Sequence, residues 1–147
     1  MEVLEILSRL WRTGAEIYRD KSDDRLVMKN AEKVPPPIMQ LAEQYGNEID
    51  KWVSQFERMN VEDKTMFKVH SFIAGWQPNA NIEKFLNEDY QSMKLWYEWS
   101  VVLATNGYKS IYEDYRPYEN EQSDLLKKQL YERAVAFNKR GVKNEMS

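Results

Sequence analysis

The chain has 147 residues, 42% of them apolar and 13% aromatic, a supply that supports a packed core and excludes a chain disordered throughout. The net charge of −3 excludes binding of nucleic acid by bulk electrostatics alone. Cysteine is absent, which excludes disulfides and Cys-ligated zinc or iron–sulfur centres.

Residues 2–12 place Val3, Leu4, Leu7, Leu10 and Trp11 at helical spacing, with Glu2, Glu5, Arg9 and Arg12 largely on the other side. Gly14 stands where a left-handed residue stops such a helix. Two short alternating segments follow, residues 16–19 and 25–29, joined by Asp20-Lys21-Ser22-Asp23-Asp24, and they predict a β-hairpin. Alternation turns Ile17 away from Glu16 and Tyr18, and turns Leu26 and Met28 away from Arg25, Val27 and Lys29. A two-stranded sheet is not stable alone, so it must lie against helices.

Pro35-Pro36-Pro37 reads as the entry to a second helix, because first-turn N–H groups lack partners anyway. A polyproline ligand would need further prolines beside it, and none is there. From Ile38 the positions Leu41, Ala42, Tyr45, Ile49, Trp52, Val53 and Phe56 predict one helix to about residue 58, with Gly46 either permitting close packing or marking a break. Asn60 with Glu62 and Asp63 predicts a capped helix over 61–74. Gly75-Trp76-Gln77-Pro78-Asn79 reads as a turn. A boundary between two parts therefore falls near 58–61, or alternatively near 75–79.

From residue 81 to 105 the pattern Ile82, Phe85, Leu86, Tyr90, Met93, Trp96, Tyr97, Val101 predicts one long helix ended by Asn106-Gly107. Its segment Leu95-Trp96-Tyr97-Glu98-Trp99 is apolar on more than one side. Residues 108–116 read as a short element, Pro117 opens another stretch, and Leu125, Leu126, Leu130, Ala134, Val135 and Phe137 predict a last helix over 121–139. Residues 140–147 read as a polar, frayed tail. The fold class is α+β and mostly helical: an N-terminal α-β-β-α module over 1–58, then a helical region over 61–147.

Residues 3–56 resemble the N-terminal docking domain of tubulysin-type nonribosomal peptide synthetases. The likeness lies in Leu4 and Leu7 running to Gly14, in Ile17 and Tyr18 of the first strand, in Asp24-Arg25-Leu26-Val27, and in Pro36-Pro37-Ile38-Met39 leading to Ile49, Trp52 and Val53. In that family the second strand is an exposed edge that accepts a short acidic peptide from an upstream protein by strand addition. The resemblance implies a partner surface at Tyr18, Arg25, Val27 and Lys29. It also implies a bacterial setting, in a phage or mobile element. The turn is longer than the family's usual one, and the chain has no condensation, adenylation or carrier domain. Residues 61–147 match no family pattern.

His70 is the single histidine, and a lone helical histidine reads as structural before catalytic. The adjacent pairs Glu62-Asp63, Glu88-Asp89 and Glu113-Asp114 diverge around a helix and do not form an acid/base pair unaided. No phosphate loop, dinucleotide fingerprint, nucleophile elbow or HExxH motif occurs. The expectation is therefore a non-enzymatic adaptor, with no cofactor or metal, that binds an unidentified protein partner and is open to self-association. Trp96, Tyr97 and Trp99 read as core or as a second interface. The alternative is an accessory, replication-related nucleic-acid-binding protein using the basic face Lys127, Lys128, Arg133, Lys139, Arg140 and Lys143. Residues 61–125 carry 6 basic and 11 acidic side chains, a net −5, whereas 126–147 carry 6 and 2, a net +4. The start of the chain has no basic n-region and no apolar run reaches the ~20 residues of a membrane span, so the expected location is the cytoplasm.

Overall fold

The computed structural model describes the backbone of residues 1–146 and the side chains of residues 1–141. The elements in order are α1 (Val3–Arg12), β1 (Glu16–Asp20), β2 (Arg25–Lys29), α2 (Pro36–Gln44), α3 (Gly46–Arg58), α4 (Val61–Ile73), α5 (Ala80–Glu88), α6 (Tyr90–Thr105) and α7 (Glu121–Met146). Short 3-10 turns occupy Ala31–Lys33 and Arg116–Tyr118. The fold is α+β and mostly helical. It divides into two compact units: Met1–Met59 with Ile73–Pro78, and Asn60–Phe72 with the chain from Asn79 onward. The chain thus leaves the first unit after Met59 and returns to it for six residues.

In the first unit α1 is buried on more than one side: Ile6 and Ser8 are covered along with Leu4, Leu7, Leu10 and Trp11. Ser8 is accommodated because its hydroxyl donates to the Glu5 carbonyl at 2.7 Å. Gly14 adopts φ +95°, a conformation that penalises any Cβ, and this frees the chain to turn into β1. The strands pair antiparallel, with Ile17 opposite Met28, Tyr18 opposite Val27 and Arg19 opposite Leu26. One face therefore carries Ile17, Arg19, Leu26 and Met28, and the other Glu16, Tyr18, Asp20, Arg25, Val27 and Lys29.

Residues 38–58 form two helices where the apolar periodicity predicts one. The break is at Tyr45 (φ −105°, ψ 24°), immediately before Gly46 begins α3. Gly46 is a weak helix former, and its place at the break spares a helix interior its cost. Trp11, Trp52 and Trp76 cluster: Trp11 meets Trp52 edge-on at 5.7 Å between ring centroids and Trp76 at 6.4 Å. Trp76 is fully buried. The positive φ of Gly75 (+78°) turns the chain after α4 so that this ring enters the first unit.

In the second unit α4 is capped by Asn60, whose Oδ1 accepts from the Asp63 amide at 2.8 Å, and α5 by Asn79, whose Oδ1 accepts from the Ile82 amide at 3.0 Å. The single helix expected over 81–105 is broken at Asp89 (φ −119°, ψ 83°). The physical reason is a better use for the aspartate. Its carboxylate takes two hydrogen bonds from Arg133 of α7, at 2.8 and 2.9 Å, and one from Ser92 at 2.8 Å. The Arg133 hydrogen bonds hold the Asp89 carboxyl below its ordinary range. Residues 108–115 are irregular, not helical, although Tyr115 is buried and its ring meets Trp99 at 5.1 Å. The last helix continues through Met146, past the expected end at 139. No helix among the described residues is long and apolar enough to cross a membrane.

Candidate functional site

The outer face of the hairpin is built by local chemistry at each end. In the turn, the Asp20 carboxylate accepts from the Ser22 amide at 2.9 Å and its hydroxyl at 2.7 Å, and these bonds lower the Asp20 pKa. Asp24 then adopts φ +59° to reverse the chain. At the far end Asn30 adopts φ +62° and its side-chain amide donates to the Gly14 carbonyl at 3.2 Å, closing the base of the hairpin. The inner face is held by Arg19. Its guanidinium lies 2.6 Å from Asp50 and 2.9 Å from the Ser54 hydroxyl, both on α3, with Glu57 at 3.6 Å. It also donates to the Asp24 carbonyl at 3.1 Å, so one side chain ties turn, sheet and helix together.

Tyr18, Arg25, Val27 and Lys29 share the outer face. Tyr18 is 48% exposed, Arg25 and Lys29 are exposed, and Val27 is half-buried opposite Tyr18. They do not converge on one point. Tyr18 and Lys29 border an open groove of ≈ 600 Å³ with Trp11, Glu16, Ile17 and Gln77. Arg25 stands at the turn, 3.5 Å from Asp23. The groove residues that the sequence does not reveal are Trp11, which reads as core, and Gln77, which reads as a turn residue far along the chain. Charge is split by strand. The outer face of β1 offers Glu16 and Asp20, and that of β2 offers Arg25 and Lys29.

Trp96, Tyr97 and Trp99 do not form one surface. Trp99 is buried, Trp96 is half-buried and Tyr97 is 63% exposed. The His70 ring lies near both tryptophans, at 6.3 and 6.1 Å between centroids, and burial pushes its pKa down to about 4, so it is neutral at pH 7. The exposed apolar stripe of α6 is a different set: Tyr90, Met93, Tyr97 and Val101, one turn apart in succession.

The basic face expected on α7 is also reorganised. Lys127 is buried, and its ammonium donates to Asp63 and Glu119, both at 2.7 Å. Burial opposes the Lys127 charge, but these hydrogen bonds outweigh it and raise its pKa. The Tyr115 hydroxyl donates to the same Asp63 oxygen at 3.1 Å. Burial pushes the Glu119 carboxyl up to about 7. Lys127 is therefore a correction to the sequence reading: two carboxylates occupy it and it does not face solvent. Arg133 is engaged by Asp89. Lys128 and Lys139 are exposed, and Arg140 lies over the Phe137 ring at 5.9 Å. The Lys143 side chain lies outside the described residues. Among the described residues no group of three or more His, Cys, Asp or Glu is placed to hold a metal ion.

No protein-family model matches the chain, and neither the characterised proteins nor the solved structures include a significant match to it.

Proposed function

We propose that the chain is a non-enzymatic docking protein of the bacterial cytoplasm, whose hairpin takes an extended acidic segment of a partner protein along β2. The observation that carries this reading is the division of charge on the hairpin: Arg25 and Lys29 share the outer face of β2 with Val27, beside the exposed Tyr18. β2 belongs to a sheet of two strands, so within the sheet one of its backbone edges has no neighbouring strand. An added strand would take up those N–H and C=O groups, while side chains facing Tyr18 and Val27 would give selectivity. Acids in the added strand would meet Arg25 and Lys29. A phage or mobile-element setting belongs to the same reading and rests on the resemblance of residues 3–56.

The test is a nuclease-treated pull-down from a bacterial host lysate, followed by amide-shift mapping of the captured partner's acidic segment on the full-length chain. The expected result is a partner that survives nuclease, perturbs residues 16–29, and is lost with Arg25→Glu/Lys29→Glu. A partner pool that vanishes with nuclease, or binding indifferent to the double variant, would overturn it.

A further inference from the structure

The second unit carries a groove that the docking reading does not use. It is ≈ 420 Å³, within the range of small-molecule sites, and is formed by α4, the start of α5 and α7. Its polar lining includes Lys64 and Lys68 of α4, Asn81 of α5, and Tyr131 and Asn138 of α7. Its apolar lining includes Ile82, Phe85 and Val135. No lining residue is acidic.

The groove joins segments of opposite charge. Residues 61–125 carry a net −5, yet those that line the groove add two lysines and no carboxylate, and its α7 wall lies in the segment 126–147, a net +4. Three cations of this unit are matched, Lys127 by Asp63 and Glu119, Arg133 by Asp89 and Arg116 by Asp114, whereas Lys64 and Lys68, like the surface lysines Lys128 and Lys139, are not. Among the described residues no carboxylate lies within 4.0 Å of Lys64 or Lys68. They stand at i and i+4, which sets both ammonium groups on one side of α4. Two neighbouring like charges are unfavourable unless an anion sits between them. The amides of Asn81 and Asn138, and the Tyr131 hydroxyl, add donors suited to oxygen acceptors.

We propose that this groove binds a phosphate monoester with an apolar body. The phosphate dianion bridges Lys64 and Lys68, and the organic group lies on Ile82, Phe85 and Val135. A dianion matches two ammonium groups, and lysine serves phosphate as a point charge without demanding a fixed fork geometry. The apolar floor separates such a ligand from free phosphate, which would leave that surface wet.

The experiment is a titration of the full-length chain, followed by amide shifts and calorimetry, with phenyl phosphate, inorganic phosphate, phenol and a single-stranded oligonucleotide as probes. Phenyl phosphate is expected to saturate and to shift Lys64, Lys68 and Asn81. Inorganic phosphate is expected to bind more weakly at the same residues, and phenol not to saturate. Each of Lys64→Gln and Lys68→Gln is expected to weaken phenyl phosphate by about tenfold, the scale of one charged hydrogen bond. Asn138→Asp, which keeps both lysines and adds an acid, is expected to weaken it too. Circular dichroism establishes that each variant folds. No saturation by phenyl phosphate, undiminished binding by the lysine variants, or tighter binding of the oligonucleotide at these residues would overturn the proposal. These readouts lie in the second unit and are independent of Arg25 and Lys29.

Discussion

Lys127 holds one positive charge between two carboxylates, and that imbalance makes this site responsive to pH. The folded value of Glu119, about 7, lies above its ordinary 4.5. The native state therefore binds the extra proton between those values. The stability it contributes is complete below pH 4.5 and is lost as pH rises through 7. His70 runs the other way: its folded value of about 4 lies below the ordinary 6.5, so its contribution is present above 6.5 and is lost as pH falls through 4. Between 4.5 and 6.5 the two slopes oppose one another. Above 6.5 Glu119 acts without that opposition. The expected outcome is that wild-type stability changes little from pH 5 to pH 8, because the Glu119 loss and the His70 gain are each on the order of 2 kcal/mol. In Glu119→Gln the His70 gain stands alone, so the urea midpoint should rise from pH 5 to pH 8, and a variant that keeps the wild-type pH dependence would exclude Glu119 as the opposing group. None of this is legible in the sequence. Lys127 stands in a run of bases that reads as a solvated face, and its partners Asp63 and Glu119 come from other segments of the chain.

At the scale of elements, the short strands depend on what backs them. Arg19 lies on the inner face of β1 and engages Asp50, Ser54 and Glu57 along α3. Arg19→Met keeps the length of the side chain and removes the fork. The expected outcome is faster amide exchange across residues 16–29, with α5, α6 and α7 unchanged, measured by hydrogen exchange in the native state. Exchange that stays slow in the hairpin would show that the apolar inner face alone anchors it. The hairpin, its faces and the cap at Asn60 follow from residue types, because alternation, turn residues and capping side chains act locally. The break at Tyr45 is one of the two alternatives that Gly46 offers, whereas the break at Asp89 does not follow, since apolar periodicity continues through it. At Asp89 the deciding partner is Arg133, a residue of α7 that periodicity cannot supply. The exposed stripe of α6 was hidden for a related reason: a helix apolar on more than one side does not declare which side is covered.

At the scale of the whole molecule, the two units are interleaved along the chain. The first unit is made of residues 1–59 and 73–78, and the second takes the segments between and after. Trp76 is the clearest consequence: it reads as one residue of a turn, yet it is fully buried beside Trp11. Trp76→Ala should destabilise the first unit by about 3–5 kcal/mol, the range for emptying an aromatic site. The measurement is hydrogen exchange resolved by segment, in which α1 and the hairpin should lose protection. If α1 and the hairpin keep theirs, Trp76 is not part of what holds the first unit together.

The same interleaving bears on how the protein is made. A ribosome releases the chain from its N-terminus at about 5–20 residues per second. Residues 1–59 emerge with Trp11 already present, but the ring that packs beside it follows seventeen residues after Met59. The first unit therefore waits roughly one to three seconds, at that rate, with an aromatic cleft open to solvent. During that interval a nascent chain offers apolar surface to chaperones and to its neighbours on the same message. Slow codons between 60 and 76 would lengthen the exposure, and fast ones would shorten it.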